Sequence, residues 1–382
     1  MKSPTYRLFA TSLLFASLVV VQMTRADTHQ TEAPWTDNSK ERSARVNVIF
    51  DTDMWSDIDD ALALAMLHAL QDRHEINLLA VTVSTAEKWC ASYVDLIDTF
   101  YRHPQVPIGL IRNGLDTEAF RKKYPSITWP VTRYTQILSE DRKRNGSLVY
   151  PHRLIDGTNA PEAVSLLRKT LAAQPDGSVV IIQVGYSTNL ARLLDSVSDA
   201  ASTLSGRDLI QRKVRLLSVM AGNFAESIVD GQLLAKGSPE FNLESDVTSA
   251  QNVFSNWPTP IVASGFEIGV AMLYPAASIE HDFSYVAHHP IAQTYRTYAE
   301  ETSNKWPHDH ATWDLTAVLY AARADRDYFS LSKPGRITVL PDGGSHFEES
   351  EHGSHRHLIL TEEQRSRALE AMVMLVSQPP GH

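Results

Sequence analysis

Short β-branched runs alternate with helix-length apolar stretches through most of this 382-residue chain, and that alternation limits the fold more than any other feature. Val46-Asn47-Val48-Ile49-Phe50 reads as a first strand. Residues 61–70, rich in Ala and Leu, are long enough for a helix, and 75–83 reads as a second strand. The rhythm then repeats. A helix over 161–173 leads to a strand over 179–184, and a helix over 187–194 to a strand over 213–220. A helix over 246–256 precedes a strand over 260–264. Such units predict an α/β fold with an open, mostly parallel, doubly wound sheet, whose ligands sit at the carboxyl ends of the strands. Near the end, 336–340 and 355–360 read as the two strands of a hairpin, with a polar, Gly- and His-containing segment between them. A C-terminal helix over 361–378 opens with a capping box, Thr361 followed three residues later by Gln364.

Ahead of the first strand the chain has a different character. Lys2 and Arg7 precede an apolar run over 8–23, and Thr24-Arg25-Ala26 closes it on a small residue. That is the layout of a secretory signal peptide over 1–26, followed by a polar, disordered lead-in over 27–44 and one α/β domain over 45–382. The expected destination is secreted or periplasmic, with no stable membrane insertion after cleavage. No Cys closes the apolar run, which argues against a lipoprotein anchor. The single cysteine, Cys90, allows no internal disulfide and reads as a small buried residue. A formal net charge of −10 argues against a nucleic-acid partner.

The segment most informative about chemistry is Asp51-Thr52-Asp53-Met54-Trp55-Ser56-Asp57-Ile58-Asp59-Asp60-Ala61. It packs five carboxylates into the junction between a strand and a helix. Like charges at this density raise one another's pKa unless a cation neutralises them. Asp59 and Asp60 gain from the positive end of the helix dipole, which cannot balance the whole set. Hard oxygen ligands suit Ca²⁺ or Mg²⁺. An EF-hand loop fails on spacing, because Ser56 stands at the turn glycine and Leu62 at the closing glutamate. An acidic capping turn on the surface and a phosphatase with an Asp-x-Asp motif are the other readings, the latter without a late Gly-Asp motif.

A strand, Asp-x-Asp, a short loop, and Asp-Asp-Ala opening a helix resemble the inosine–uridine preferring nucleoside hydrolase family. Val184-Gly185 with Thr188-Asn189-Leu190, Met220-Ala221-Gly222, Glu240-Phe241-Asn242, and Trp313-Asp314 with Ala317-Val318 extend the resemblance in order along the chain. The resemblance implies a Ca²⁺ site with carboxylates from Asp53, Asp60 and Asp314 and the backbone carbonyl of Val184. It implies that Asp53 is the general base on the attacking water and that Asp59 accepts a hydrogen bond from the ribose 2′-hydroxyl. Glu240 and Asn242 would hold the 5′ and 3′ side of the sugar. The implied reaction is cleavage of the N-glycosidic bond of a ribonucleoside to base and ribose, through a transition state with positive charge on the sugar. Assembly as a homodimer or homotetramer is implied in the same way.

The sequence also departs from the family pattern. The loop between Asp53 and Asp59 is two residues longer than the common form and adds Asp57, read here as a loop cap or an additional acid behind the site. Ser84-Thr85-Ala86-Glu87-Lys88-Trp89 occupies the region where the common form has an Asn that touches the ribose. Asn223 is the nearest substitute for an altered Gly-Asn segment. Trp313 stands where many purine-active members carry an acidic His, and it suits stacking on a base. Trp55 and Trp89 are further candidates for the base side. His308 and His310, just upstream, are candidates for protonating the leaving base or are plain loop residues. His346, His352, His355 and His357 form a C-terminal group that reads as a solvated hairpin or a transition-metal site. The changed loops leave two alternatives to a nucleoside hydrolase: a hydrolase of another N-ribosyl compound, and a non-catalytic ribosyl-binding protein.

Overall fold

The computed structural model describes residues 45–381, apart from 124–132, 230 and 303–305. The expected signal peptide and lead-in lie outside the described residues. The main sheet uses β1 (Val46–Thr52), β2 (Ile76–Thr85), β3 (Ile108–Leu115), β4 (Val179–Gln183), β5 (Val214–Met220), β6 (Ile261–Ser264), β7 (Gly335–Val339), β8 (Ser345–Glu349) and β9 (His355–Ile359). Their spatial order is β8-β7-β9-β6-β5-β4-β1-β2-β3, with a short strand at Ser330–Leu331 beside β9. Every neighbouring pair from β3 across to β9 is parallel. The order reverses between β1 and β4, which puts the topological switch point, and hence the expected ligand crevice, beyond the ends of those two strands.

Period-two alternation divides the sheet between two cores. Val48, Phe50, Val180 and Ile182 face one, with the helices Asp59–Asp72, Lys88–Phe100, Asp314–Ala322 and Glu362–Val376. Ile49, Ile181, Leu217 and Ala263 face the other, with Ala163–Ala172, Thr188–Asp195 and Val247–Asn256. Helix Asp59–Asp72 is buried over 59–70, packed between its neighbours Asp314–Ala322 and Glu362–Val376. A helix without a polar face belongs in the interior. Its core Leu and Met side chains each stabilise by about 1.5–3 kcal/mol. Cys90 is buried and free, as expected. Among the described residues no helix is long and apolar enough to cross a membrane.

Two details differ from the sequence expectation. First, β1 runs on through Asp51 and Thr52, which are completely buried. Asp51 tolerates this because its Oδ1 accepts hydrogen bonds from Thr82 Oγ1 (2.5 Å) and Asn189 Nδ2 (2.8 Å). Second, β7 meets the strand that begins at His355 only at Gly335 opposite His355, and its hairpin partner is β8, which lies between the two in sequence. Pro341-Asp342-Gly343-Gly344 makes the turn, with Gly343 at φ +85° and Asp342 Oδ1 accepting from Gly344 N. β8 is a polar edge strand, Ser-His-Phe-Glu-Glu, and its charge disguises it as a loop. β9 instead lies parallel to β6, His355 opposite Ile261. The capping box on the C-terminal helix is present as read. Helix Lys88–Phe100, β3 and helix Pro290–Glu301 were unassigned from the sequence.

Candidate active site

The crevice at the switch point holds a cavity of about 540 Å³. Its floor is acidic. Asp53 follows β1, Val184 follows β4, Asp59 and Asp60 open helix Asp59–Asp72, and Asp314 opens helix Asp314–Ala322. Three stretches far apart in the chain therefore converge at strand and helix ends. Glu240 and Asn242 line one wall with Met220 and Phe241, while Phe266, Tyr298, Thr302 and Trp313 line another. Among the described lining residues there is no Lys or Arg.

The loop after β1 is tightly tied. Met54 turns through a positive φ of 46°, a costly conformation for a non-glycine residue. Its N–H donates to Thr52 Oγ1 (3.1 Å) and Asp60 Oδ1 (3.0 Å), while the Thr52 hydroxyl also donates to Asp60. Gly185 lets the two strand ends approach: a Cβ there would lie 2.4 Å from the Asp53 nitrogen. Asp59 Oδ2 accepts from the backbone nitrogens of Trp313 (2.8 Å) and Asp314 (3.0 Å) at the start of the late helix. This contact joins the acidic loop to the Trp-Asp motif more than 250 residues away.

Burial and mutual repulsion hold the floor's protons on. Burial, with the Asp59 charge second, raises Asp53 to about 7; Asp60 and Tyr186 pull it partly back. Asp59, Asp60 and Asp314 are raised well above the ordinary carboxylate range, first by burial and then by the neighbouring carboxylates: Asp57 beside Asp59, Asp53 beside Asp60, and Asp59 beside Asp314. Glu240, chiefly through burial, rises to about 7. Oxygens of Asp59, Asp60 and Asp314 all lie within 4.8 Å of one another, and Asp53 Oδ2 is buried without a hydrogen-bond partner. An all-oxygen set with an orphaned carboxylate oxygen fits a hard divalent cation, which removes the repulsion that protons otherwise relieve.

Glu240 caps the short helix Phe241–Ser245, accepting from Asn242 N (2.9 Å) and Leu243 N (3.3 Å), and also from Gly222 N (3.2 Å). Asn242 Nδ2 donates to the carbonyls of Val184 (2.8 Å) and Met220 (3.3 Å). Trp313 is fixed by Nε1 donating to the Phe266 carbonyl (3.0 Å), and its ring centre lies 5.5 Å from that of Phe266. Gly269 lies under this indole, so close that a Cβ would overlap it.

The structure thus gathers Asp53, Asp59, Asp60, Val184, Glu240, Asn242, Trp313 and Asp314 around one cavity. It does not bring Asn223 there: that side chain is buried with Nδ2 donating to the Ala235 carbonyl (3.1 Å). Trp55 and Trp89 also lie elsewhere, in a second, smaller cavity with Glu87 and Arg121. Trp55 packs edge-on against Phe120 at 5.1 Å. None of residues 84–89 lines the main cavity. His308 is half-buried and away from the cavity lining, but His310 is buried and donates from Nε2 to Asp57 Oδ1 (2.5 Å). The C-terminal histidines separate: His355 Nδ1 accepts from Ile337 N, His357 stacks on Phe224, and His346 and His352 face solvent. Tyr298, Thr302 and Phe266 had no motif to announce them; Tyr298 and Phe266 come from helices where an aromatic residue reads as core, and Thr302 caps the end of helix Pro290–Glu301.

A match to the inosine-uridine preferring nucleoside hydrolase family covers residues 48–370. A purine-preferring ribonucleoside hydrolase from Gardnerella vaginalis has a similar structure, at 16% identity and a TM-score of 0.61, over 87% of this chain and 98% of that one. The inosine-uridine preferring nucleoside hydrolase from Bacillus anthracis is similar at 15% identity and 0.57, over 87% and 99%. The type III effector XopQ, solved with adenosine diphosphate ribose, is similar at 14% and 0.61, over 88% and 95%. At these identities the structural likeness is one of fold. No curated protein gives a significant match. With the family match running from the first strand into the last helix, this chain belongs to the inosine-uridine preferring nucleoside hydrolase family.

Proposed function

We propose that this protein is a calcium-dependent hydrolase of ribonucleosides in which Asp53 is the general base. The observation that carries the reading is the convergence of Asp53, Asp60, Asp314 and the Val184 carbonyl on the floor of one cavity, with a buried and unpartnered oxygen on Asp53. When bound there, Ca²⁺ supplies charge neutralisation, Lewis acidity toward water and an anchor for a vicinal diol. Asp53, Asp60, Asp314 and Val184 would hold it.

The chain's own groups do the rest. Asp53 takes a proton from the attacking water. Asp59, oriented by two backbone N–H groups, accepts a hydrogen bond from the ribose 2′-hydroxyl through its remaining oxygen. The carboxylates below the ring favour the cationic transition state over the neutral nucleoside. Glu240 and Asn242 border the opposite side of the sugar. Trp313, Phe266 and Tyr298 give the base an aromatic wall on which to stack.

The layout of residues 1–26 supports export to the periplasm or the exterior, where the enzyme would release base and ribose from external nucleosides for uptake. Recovery of the mature protein only from the cytoplasm would contradict this. The resemblance extends to assembly as a homodimer or homotetramer, which sedimentation would test.

A second reading keeps the chemistry and changes the substrate to another N-ribosyl compound. Its support is the structural neighbour solved with adenosine diphosphate ribose, together with the replacement of the ribose-contacting Asn region by Ser84–Trp89. A substrate panel separates the two: free ribose from inosine or uridine supports the nucleoside reading. Turnover of adenosine diphosphate ribose alone would support the other.

A further inference from the structure

Asp57 belongs to the extra length of the acidic loop and lines the cavity, yet the reaction described above gives it no task. It is held from three directions. Its Oδ1 accepts from the N–H of Ile58 and from Nε2 of His310, and its backbone carbonyl accepts from Tyr134 Oη at 2.7 Å. Its other carboxylate oxygen makes no hydrogen bond within the described residues, and the side chain is 27% exposed.

His310 shows which wall this carboxylate belongs to. The imidazole packs edge-on to Tyr298 at 5.1 Å and to Trp313 at 6.1 Å, and both of those rings line the cavity. Asp57 is therefore on the aromatic side, where the base is expected, rather than on the sugar side with Glu240 and Asn242. Burial lowers the His310 pKa, but the charges of Asp57 and Asp59 outweigh it and leave the imidazole above its ordinary range. The hydrogen bonds from His310 and Ile58 fix the acceptor before any ligand arrives. Fixed acceptors give strong discrimination, because a ligand without the matching donor leaves them unpaired.

We propose that Asp57, positioned by His310, is the specificity-determining residue of this enzyme: its outward oxygen accepts a hydrogen bond from a ring N–H of the base. The ligands it favours are nucleosides whose base carries such a donor, as hypoxanthine does at N1 and uracil at N3. This inference rests on the nucleoside-hydrolase reading. Trp313 supplies stacking that is blind to base edges, so edge selection falls to Asp57.

The test compares kcat/KM of the calcium-loaded full chain for inosine, 1-methylinosine and purine riboside, the last two lacking the N1 donor. The wild type is expected to prefer inosine by about 10- to 100-fold. Asp57→Ala should collapse that preference to within about 3-fold by losing rate on inosine. Asp57→Asn, which keeps the loop's packing, should weaken it. His310→Ala should lower the preference, and His310→Gln, which retains an N–H donor, should restore most of it; a merely structural histidine would not show this split. Equal loss on all three substrates in Asp57→Ala, or no preference in the wild type, overturns the inference and leaves the nucleoside reading intact. Absence of ribose release from every nucleoside by the wild type overturns both.

Discussion

Asn242 donates a hydrogen bond from Nδ2 to the carbonyl oxygen of Val184 at 2.8 Å. One residue was read as a sugar contact and the other as a metal ligand, and this bond makes them a unit. A carbonyl oxygen has two lone pairs, so Val184 can serve a cation while it accepts from Asn242. Asn242→Leu removes the donor without removing bulk. It is expected to raise KM for nucleosides and to weaken calcium binding about 10-fold, the size of effect usual when a metal ligand's supporting hydrogen bond is lost. Calorimetric titration of calcium checks this, and an unchanged affinity would uncouple the two residues.

Gly185 is needed because of what lies beside it. A Cβ there would lie 2.4 Å from the Asp53 nitrogen and 2.7 Å from Ser84 Oγ. Gly185→Ala is therefore expected to displace the Asp53 backbone and reduce kcat by about 100-fold, since small misplacements of a catalytic group have effects of that order. Circular dichroism should still report the folded sheet, and steady-state kinetics give the rate.

Glu240 has both a structural and a functional burden. Its carboxylate caps helix Phe241–Ser245 and also receives Gly222 N. Glu240→Ala should cost about 1–2 kcal/mol through loss of the cap and lower kcat/KM as well. Glu240→Gln keeps acceptor oxygen and should recover most of the stability but less of the activity. Denaturant unfolding alongside kinetics would separate the two roles.

The acidic floor makes stability depend on pH in a definite direction. Asp51, Asp53 and Glu240 rise to about 7 through burial, so the folded chain binds protons that the unfolded chain releases near its ordinary carboxylate pKa. Without a divalent cation, stability should fall as pH rises through about 4 to 7. His310 acts in the same direction: its raised pKa contributes stability below about 6.5 that is lost as pH climbs through the folded value. Calcium should raise Tm more at pH 7.5 than at pH 5, because at the lower pH it must displace protons. A calcium shift equal at both values would contradict this account of the floor.

The parallel sheet and the floor were legible in the sequence for one physical reason. Strand ends that carry ligands must place their polar groups just after a β-branched run, and Asp53 and the Val184 carbonyl do so. The acidic loop was legible because so many carboxylates together demand a partner. The wall was not. Asp57 and His310 are 253 positions apart, and no local pattern relates them. Tyr298 and Phe266 sit in helices where an aromatic residue reads as core. Trp55 and Trp89 shared the same ambiguity, and the fold sent them to another cavity. The C-terminal hairpin was misread because β8 is polar, while its turn, Asp342-Gly343-Gly344, had the right chemistry in plain view.

Cation-dependent hydrolysis at Asp53 is tested most directly by reducing-sugar release from inosine and uridine. The mature protein would be assayed as prepared, after chelation, and after calcium is restored, beside Asp53→Ala. The expected result is ribose release that chelation abolishes, calcium restores, and the substitution lowers by about 1000-fold or more. Ribose release that survives both chelation and Asp53→Ala would contradict the account.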